Sequence, residues 1–480
     1  MPRPLLVVTV AAPTTAELRK RRDAASLAGA DVVELRLDSV TDPDVAGALE
    51  GRKTPVIVTC RPTWEGGAFA AGEAERRGIL DCAVQHGAEY VDVEFKAAFA
   101  SALIASVDGK RIVLSTHDFE GVPADLVDRV RAMRAAGAEI VKVAVTSRSL
   151  ADNLHLLQIE RAPNTVLIGM GAAGAPTRVL AAHFHSKWAY AGDGHAPGMI
   201  STSRMLDEFG FRHITDRTAV YGVVGSPLTH SISPAMHNAA FRAAGIDAVY
   251  VPLAAASADD FAVFATAVPV QGASITIPYK VDFYRRADST DQLSQMVGAV
   301  NTYRRDGLGW AARNTDVSGF LAPLAGRIDL RGSRAAILGT GGSARAVAVA
   351  LRSAGSVVTV YGRNRGKAKD VAAVANGTAA VYPVAPHSWD LLVNTTPVGM
   401  HPNVDAIPHE GPFDGRLVYD LVYNPMKTRL LEEAAAAGCD TVGGLDMLVA
   451  QAEDQSEWWT GRRPPPGLMM QHARRALDTL

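Results

Sequence analysis

Cysteine is scarce: Cys60, Cys82 and Cys439 are the three in 480 residues. Their spacing matches neither a disulfide framework nor a zinc site, so no metal is expected and a reducing, cytoplasmic setting is. Long apolar runs are missing as well. No stretch reaches the roughly 20 residues a membrane-spanning helix needs. The first apolar segment, Leu5 to Val10, has the length of a strand and starts almost at Met1, so no signal or transit peptide is expected. Charge of one sign is also absent. The 48 Lys and Arg against 50 Asp and Glu leave a formal net charge of −2, too little to hold nucleic acid or an anionic membrane. A local basic run, Arg19, Lys20, Arg21 and Arg22, reads as the solvated face of a first helix.

What is present points to a soluble α/β protein of two to four domains: 48% apolar residues, 20% charged, and 43 glycines. Up to residue 215, short β-branched runs alternate with helical stretches. The expected strands are Leu5–Val10, Val32–Leu35, Val56–Cys60, Tyr90–Glu94, Ile112–Ser115, Ile140–Val145, Val166–Gly169 and Trp188–Ala191. Between them lie helical segments such as Ala124–Ala136 and Leu150–Arg161. Eight such units fit a (β/α)8 TIM barrel, with a doubly wound open sheet as the rival. Polar residues gather at the strand ends where a barrel builds its site: Glu34, Arg36, Arg61, Glu65, Glu94, His117 and Lys142. A polar break follows near Phe211–Arg217. A second half then begins, in which strands and helices again alternate. Oligomeric state is not readable.

Four segments of the first half, Glu34-Leu35-Arg36-Leu37-Asp38, Arg61 to Gly67, Ser115 to Phe119 and Val141 to Ala144, resemble type I dehydroquinate dehydratases in the right order. The chemistry requires these residue types. A lysine amine can condense with a ketone and act as an electron sink; Lys142, set among Val and Ala, is expected to be helped towards the free amine by burial. A histidine titrating near neutrality can take the C–H proton and later protonate the leaving hydroxyl. The resemblance gives His117 that role and makes Glu65 its partner. It assigns Arg178 to the substrate carboxylate, and Glu34, Arg36 and Arg61 to hydroxyls and site electrostatics. Glu34 and Arg36 also read as a mutual ion pair. Where the family has Ser-Ala-Pro-Gly-Gln over the substrate, this chain has His195-Ala196-Pro197-Gly198-Met199, and Met199 offers almost no hydrogen bonding. The Gly/Ala-rich stretch Gly171–Pro176 reads as a mobile lid.

From Ala219 the chain resembles shikimate dehydrogenases, which implies two α/β lobes: a substrate lobe at 218–325 completed by 441–480, and a Rossmann lobe at 326–440. The matching stretches include His230-Ser231-Ile232-Ser233-Pro234, Ile275 to Lys280, Gly298 to Thr302, Asn314-Thr315-Asp316, Asn394 to Gly399 and Gly444 to Gln451. The resemblance makes Lys280 and Asp316 the catalytic couple, each of which also reads as an ordinary ion-pair partner. It assigns Ser231, Ser233, Thr276, Asn301, Tyr423 and Gln451 to the substrate. The two serines also read as helix caps before Pro234. The Gly-rich turn Gly339-Thr340-Gly341-Gly342-Ser343-Ala344 lies between a strand and a helix, where backbone can approach a pyrophosphate. After the next strand comes Gly362-Arg363-Asn364-Arg365-Gly366-Lys367. Arg363 and Lys367, with no acidic residue there, suit a 2′-phosphate and hence NADP(H); Asn364, Thr395, Thr396, Leu421, Gly444 and Met447 complete the expected cofactor contacts. The substrates implied are 3-dehydroquinate, 3-dehydroshikimate and shikimate. Three other readings remain open: a quinate-type, NAD-using dehydrogenase; a barrel serving only as a binding or scaffold domain; and an aldolase-like Schiff-base barrel.

Overall fold

The computed structural model describes residues 3–192, 197–228 and 231–479. Two compact units divide the chain. The first takes residues up to Val220 with the segment Val251–Pro269, and the second takes most of the rest. No helix of the described residues is long and apolar enough to cross a membrane.

Eight parallel strands build the first unit: β1 (Leu5–Ala11), β2 (Val32–Arg36), β3 (Val56–Thr59), β4 (Tyr90–Glu94), β5 (Ile112–Asp118), β6 (Ile140–Thr146), β7 (Thr165–Met170) and β8 (Trp188–Ala191). β8 pairs with β1 in parallel, and at the β7/β8 seam the Lys187 N–H donates to the Thr165 carbonyl at 2.8 Å. This closure makes a TIM-like barrel and removes the open-sheet rival. Successive strand residues face opposite sides. Inside, Val7, Val32, Ile57, Val113, Ile140, Val166 and Trp188 make an apolar floor. Two residues further along the same strands the interior turns polar: Thr9, Glu34, Thr59, Asp92, Ser115, Lys142 and Tyr190.

Three local expectations change. Helix Leu150–Arg161 shrinks to a 3-10 turn, Ala151–Asn153, and one helical turn, Leu154–Leu157. The buried Asn153 amide is spent on the Leu150 and Ala173 carbonyls, and Pro163 disfavours helix just before it. The Gly171–Pro176 stretch is pinned rather than lid-like. A Cβ on Gly174 would come within 2.4 Å of the Gly169 backbone, and the Gly171 N–H donates to the Pro197 carbonyl. Arg22 is not on a solvated face. It is 2% exposed and donates to the Ala48 and Glu50 carbonyls.

The second unit carries two sheets. The first runs β10-β9-β11-β13-β14-β12, made of β9 (Ala219–Val224), β10 (Ala248–Leu253), β11 (Val270–Ile275), β12 (Ser289–Thr290), β13 (Thr302–Asp306) and β14 (Gly309–Arg313); part of β10 clusters with the first unit. The other is parallel, in the order β17-β16-β15-β18-β19-β20, made of β15 (Arg334–Leu338), β16 (Val357–Tyr361), β17 (Thr378–Ala380), β18 (Leu391–Asn394), β19 (Leu417–Asp420) and β20 (Asp440–Val442). This is the doubly wound Rossmann order, whose switch point falls between β15 and β18. Helix Gly342–Ser353 leaves β15 and is buried over most of one face in the core.

Candidate active sites

The polar layers of the barrel open into a cavity of about 480 Å³ lined by Glu34, Arg61, His117, Lys142, Arg178 and Tyr190, among others. Its centre is an alternating cluster of charges. Lys142 Nζ lies 3.3 Å from Glu34 Oε1 and 3.1 Å from Asp92 Oδ2. Arg61 reaches Asp92 at 2.9 Å and Glu94 at 2.7 Å, and Arg76 closes on the far oxygen of Glu94. Ser115 Oγ donates to Asp92 at 2.6 Å; Thr9 and Thr59 donate to Glu34. Three cations thus face three carboxylates, nearly all of them fully buried.

This arrangement corrects the expected free amine. Burial does pull the Lys142 proton affinity down, but Asp92 and Glu34 outweigh it, so the group sits above its ordinary value as an ammonium. Its positive end also lies 4.2 Å from the Tyr190 ring centroid. The expected Glu34–Arg36 pair does not form either. Arg36 binds both oxygens of Asp38 at 2.7 Å, because the turn after β2 brings Asp38 back beside it.

Glu65 is the weakly paired carboxylate, 3.7 Å from an Arg61 already engaged by Asp92 and Glu94. Burial raises it to about 7, with Glu94 and Asp92 pushing the same way against Arg61. His117 Nδ1 lies 3.4 Å from Glu65 Oε2. Burial, then Arg61 and Lys142, hold the imidazole well below its ordinary value, so it is neutral near pH 7. Arg178 is 3% exposed, and burial lowers it to about 10. Among the described residues its Nε has no hydrogen-bond partner and no carboxylate pairs with it. Met199 lines the same cavity and packs on the interior apolar cluster. His195 lies outside the described residues. Sequence reasoning missed Asp92 and Tyr190; the signal was the two-residue spacing that puts Asp92 on the same face as Glu94.

In the second unit, the chain Lys280–Asp316–Asn301–Gln451 is joined by hydrogen bonds. Lys280, first residue of helix Lys280–Arg286, sets Nζ 2.6 Å from Asp316 Oδ2. Asp316 opens helix Asp316–Leu321 and accepts from Asn301 Nδ2 at 2.8 Å through its other oxygen. The same Asn301 amide reaches Gln451 at 3.1 Å, and its carbonyl accepts from Thr302 and from the Thr315 backbone. Gln455, which the sequence did not single out, donates to the Asn301 backbone carbonyl and to Thr302 Oγ1; it sits one helical turn past Gln451. Thr276, Ser231, Ser233 and Tyr423 are half-buried and lie outside this chain. The helix beginning at Ser233 has no side-chain cap, so capping does not account for the serines.

The residues around the Gly-rich turn fit a dinucleotide. Gly339 has φ +121°, and a Cβ there would meet Thr395 Oγ1 at 2.4 Å. Gly341 faces open space and leaves the N-terminus of helix Gly342–Ser353 without a side-chain cap, so its N–H groups are free for a pyrophosphate. Ser343 Oγ lies 3.4 Å from Lys280 Nζ. A Cβ on Gly362 would strike Thr340 at 2.6 Å, and one on Gly444 the Leu421 carbonyl at 2.2 Å, so both glycines allow close backbone approach. Arg363 and Lys367 are exposed. Asn364 differs from expectation: its side chain accepts from the Lys367 N–H and caps the following helix. Met447 is a core residue, 6% exposed; Thr396 is turned onto Asn394.

Comparison with known proteins follows the same division. The type I 3-dehydroquinase family model matches residues 6–216. The shikimate dehydrogenase substrate binding domain model matches 223–303 and the shikimate 5′-dehydrogenase C-terminal domain model 444–474. A chloroplastic bifunctional 3-dehydroquinate dehydratase/shikimate dehydrogenase of Arabidopsis thaliana is 34% identical over 92% of this chain and 80% of its own length. A shikimate dehydrogenase (NADP(+)) of Methanothermobacter thermautotrophicus is 39% identical over 55% of this chain and 99% of its own. Among solved structures, shikimate 5-dehydrogenase from Thermus thermophilus, in complex with NADP(H) and shikimate, is 36% identical. It covers 54% of this chain and 99% of its own, with a TM-score of 0.50.

Proposed function

The chain belongs to the family of bifunctional 3-dehydroquinate dehydratase/shikimate dehydrogenases, and from that premise we propose that the barrel dehydrates 3-dehydroquinate and the second unit reduces 3-dehydroshikimate to shikimate with NADPH. One observation carries the first half: a buried lysine and a neutral histidine line one cavity with an unpaired guanidinium. Arg178 takes the substrate carboxylate, for which its planar fork is suited. Lys142 passes its ammonium proton to His117 as Nζ adds to the ketone carbon, and the carbinolamine hydroxyl takes that proton back and leaves as water, giving an iminium and a neutral His117. His117 removes a proton from the carbon beside the iminium carbon. The electrons return from nitrogen as the β-hydroxyl departs, taking a proton from His117 to leave as water. Hydrolysis of the iminium releases product and restores the amine. Glu65, raised to about 7, steadies the imidazole and buffers its charge.

In the second unit, bound NADPH supplies the hydride to the ketone carbon. Lys280 gives the proton to the oxygen, and Asp316, fixed by Asn301, aims the ammonium. Arg363 and Lys367 hold the 2′-phosphate, and the helix N-terminus at Gly341 and Gly342 the pyrophosphate. Ser231, Ser233, Thr276, Tyr423 and Gln451 hold the ring acid. The domains proposed are 1–215, 218–325 with 441–480, and 326–440. Three free cysteines favour a reducing, cytoplasmic setting. Borohydride trapping with 3-dehydroquinate, followed by mass mapping, tests the dehydratase. The adduct is expected on Lys142 and absent in Lys142→Ala; an unmodified wild-type chain would refute it.

A further inference from the structure

Tyr190 sits on β8 with 3% of its surface exposed, and among the described residues its hydroxyl has no partner in hydrogen-bond geometry. A buried phenol normally finds one. Lys142 is the nearest candidate: its Nζ lies 4.2 Å from the ring centroid and acts on the hydroxyl as well, but it meets that oxygen in no aligned hydrogen bond. Burial pushes the phenol well above its ordinary value, so the group is a neutral O–H donor at every working pH.

A second unspent donor stands on the same cavity. Among the described residues Arg178 Nε has no partner, and its Nη2 reaches just the Pro197 carbonyl, at 3.5 Å. The two side chains are within electrostatic reach of each other and line the cavity together. Met199, packed against the cluster that contains Tyr190, contributes no useful donor. Two buried donors left open on one cavity suit an anion.

We propose that Tyr190 is a substrate-binding residue of the barrel, its hydroxyl donating, beside the Arg178 guanidinium, to the carboxylate of the bound ring acid. This rests on the reading that the barrel takes 3-dehydroquinate. The ring thus steadies the positive charge on Lys142 while the hydroxyl fixes the other end of the substrate.

Tyr190→Phe keeps the ring and deletes one oxygen. Hydrogen bonds to charged groups are strong enough that KM for 3-dehydroquinate should rise about 10- to 100-fold, with a smaller effect on kcat. Because the deleted hydroxyl is unsatisfied in the free protein, the variant's Tm should equal or exceed that of wild type. A hydroxyl with a purely structural role would give the opposite pair of results. A ligand-side measurement needs no variant: against wild type, a competitive ring inhibitor should lose affinity when its carboxylate is replaced by hydroxymethyl. In Tyr190→Phe the same replacement should cost about 10- to 100-fold less than it does in wild type. An unchanged KM, or an equal cost in both proteins, overturns the proposal while leaving the Lys142 reaction standing. A wild-type barrel that forms no Lys142 adduct overturns the dehydratase reading itself.

Discussion

Asp92→Asn should make Lys142 a better nucleophile and the barrel a weaker fold. Asp92 Oδ2 lies 3.1 Å from the Lys142 ammonium. At the effective dielectric of about 20 that describes such sites, a unit charge at that distance is worth about 5 kcal/mol. Burial already opposes the ammonium, so removing the carboxylate lets desolvation take hold, with Glu34 at 3.3 Å as the remaining anion. If relaxation cancels half of the Coulomb loss, the free-amine fraction near neutral pH still rises roughly 100-fold. Trapping of the 3-dehydroquinate adduct by cyanoborohydride should therefore show its alkaline limb moved towards neutral pH.

The same change strips a partner from Arg61, 2.9 Å from Asp92. Breaking a buried pair costs about 3–5 kcal/mol, or roughly 6–20 °C in Tm for a unit of this size. The sign follows from Asp92 being held below its ordinary value: its contribution is complete above the unfolded pKa of about 4 and is lost only as pH falls through the native one. The stability gap between wild type and variant should stay constant from about pH 5 to 9. Asp38→Asn, which breaks the Arg36 pair instead, serves as the control; it should lower Tm without moving the limb. If the trapping profile of Asp92→Asn coincides with that of wild type, the carboxylate does not govern the lysine and the reasoning fails.

Two further outcomes follow. Arg363→Ala should raise KM for NADPH about 10- to 100-fold, the range for a charge-assisted phosphate contact, and leave KM for NADH nearly unchanged; equal effects would remove the 2′-phosphate role. Glu65 is raised to about 7, so it costs stability as pH climbs from about 4.5 to 7, by about 3 kcal/mol in full; His117 is lowered and adds stability as pH climbs towards about 6.5. The two slopes oppose each other, and in Glu65→Gln the urea midpoint should rise between pH 5 and 6.5 more steeply than in wild type, a flat or falling profile counting against the assigned protonation states.

Strand period and short motifs are one-dimensional signals, and they located what is local. The barrel strands, the Gly-rich turn and the positions of Lys142, His117, Lys280 and Asp316 were all readable from residues a few places apart. Protonation was not. The amine of Lys142 was expected to be free because its own strand is apolar, yet its state is set by Glu34 and Asp92, 108 and 50 residues away. Asn301 and Gln451, 150 residues apart, had been picked as separate substrate contacts; their bond to each other and to Asp316 depends on how the helices pack. The reverse error arose at Asn364, where a motif seen as cofactor-binding also has the Asn-x-x-Lys spacing of a helix cap, and the nearer donor took the side chain. The protonated Lys142 then has a consequence the motif alone lacks. The resting barrel stores its nucleophile in an inactive form, so substrate arrival must do more than supply a ketone. On the proposed reading it brings a carboxylate to Arg178 and so sets the carbonyl against the Glu34–Lys142–Asp92 cluster. The neutral imidazole of His117 lines the same cavity, but its proton affinity is lowered while that of Lys142 is raised, so it can take the Lys142 proton only in step with addition of the amine to a bound ketone, which traps the free base. A barrel with a permanently free amine would not need that coupling.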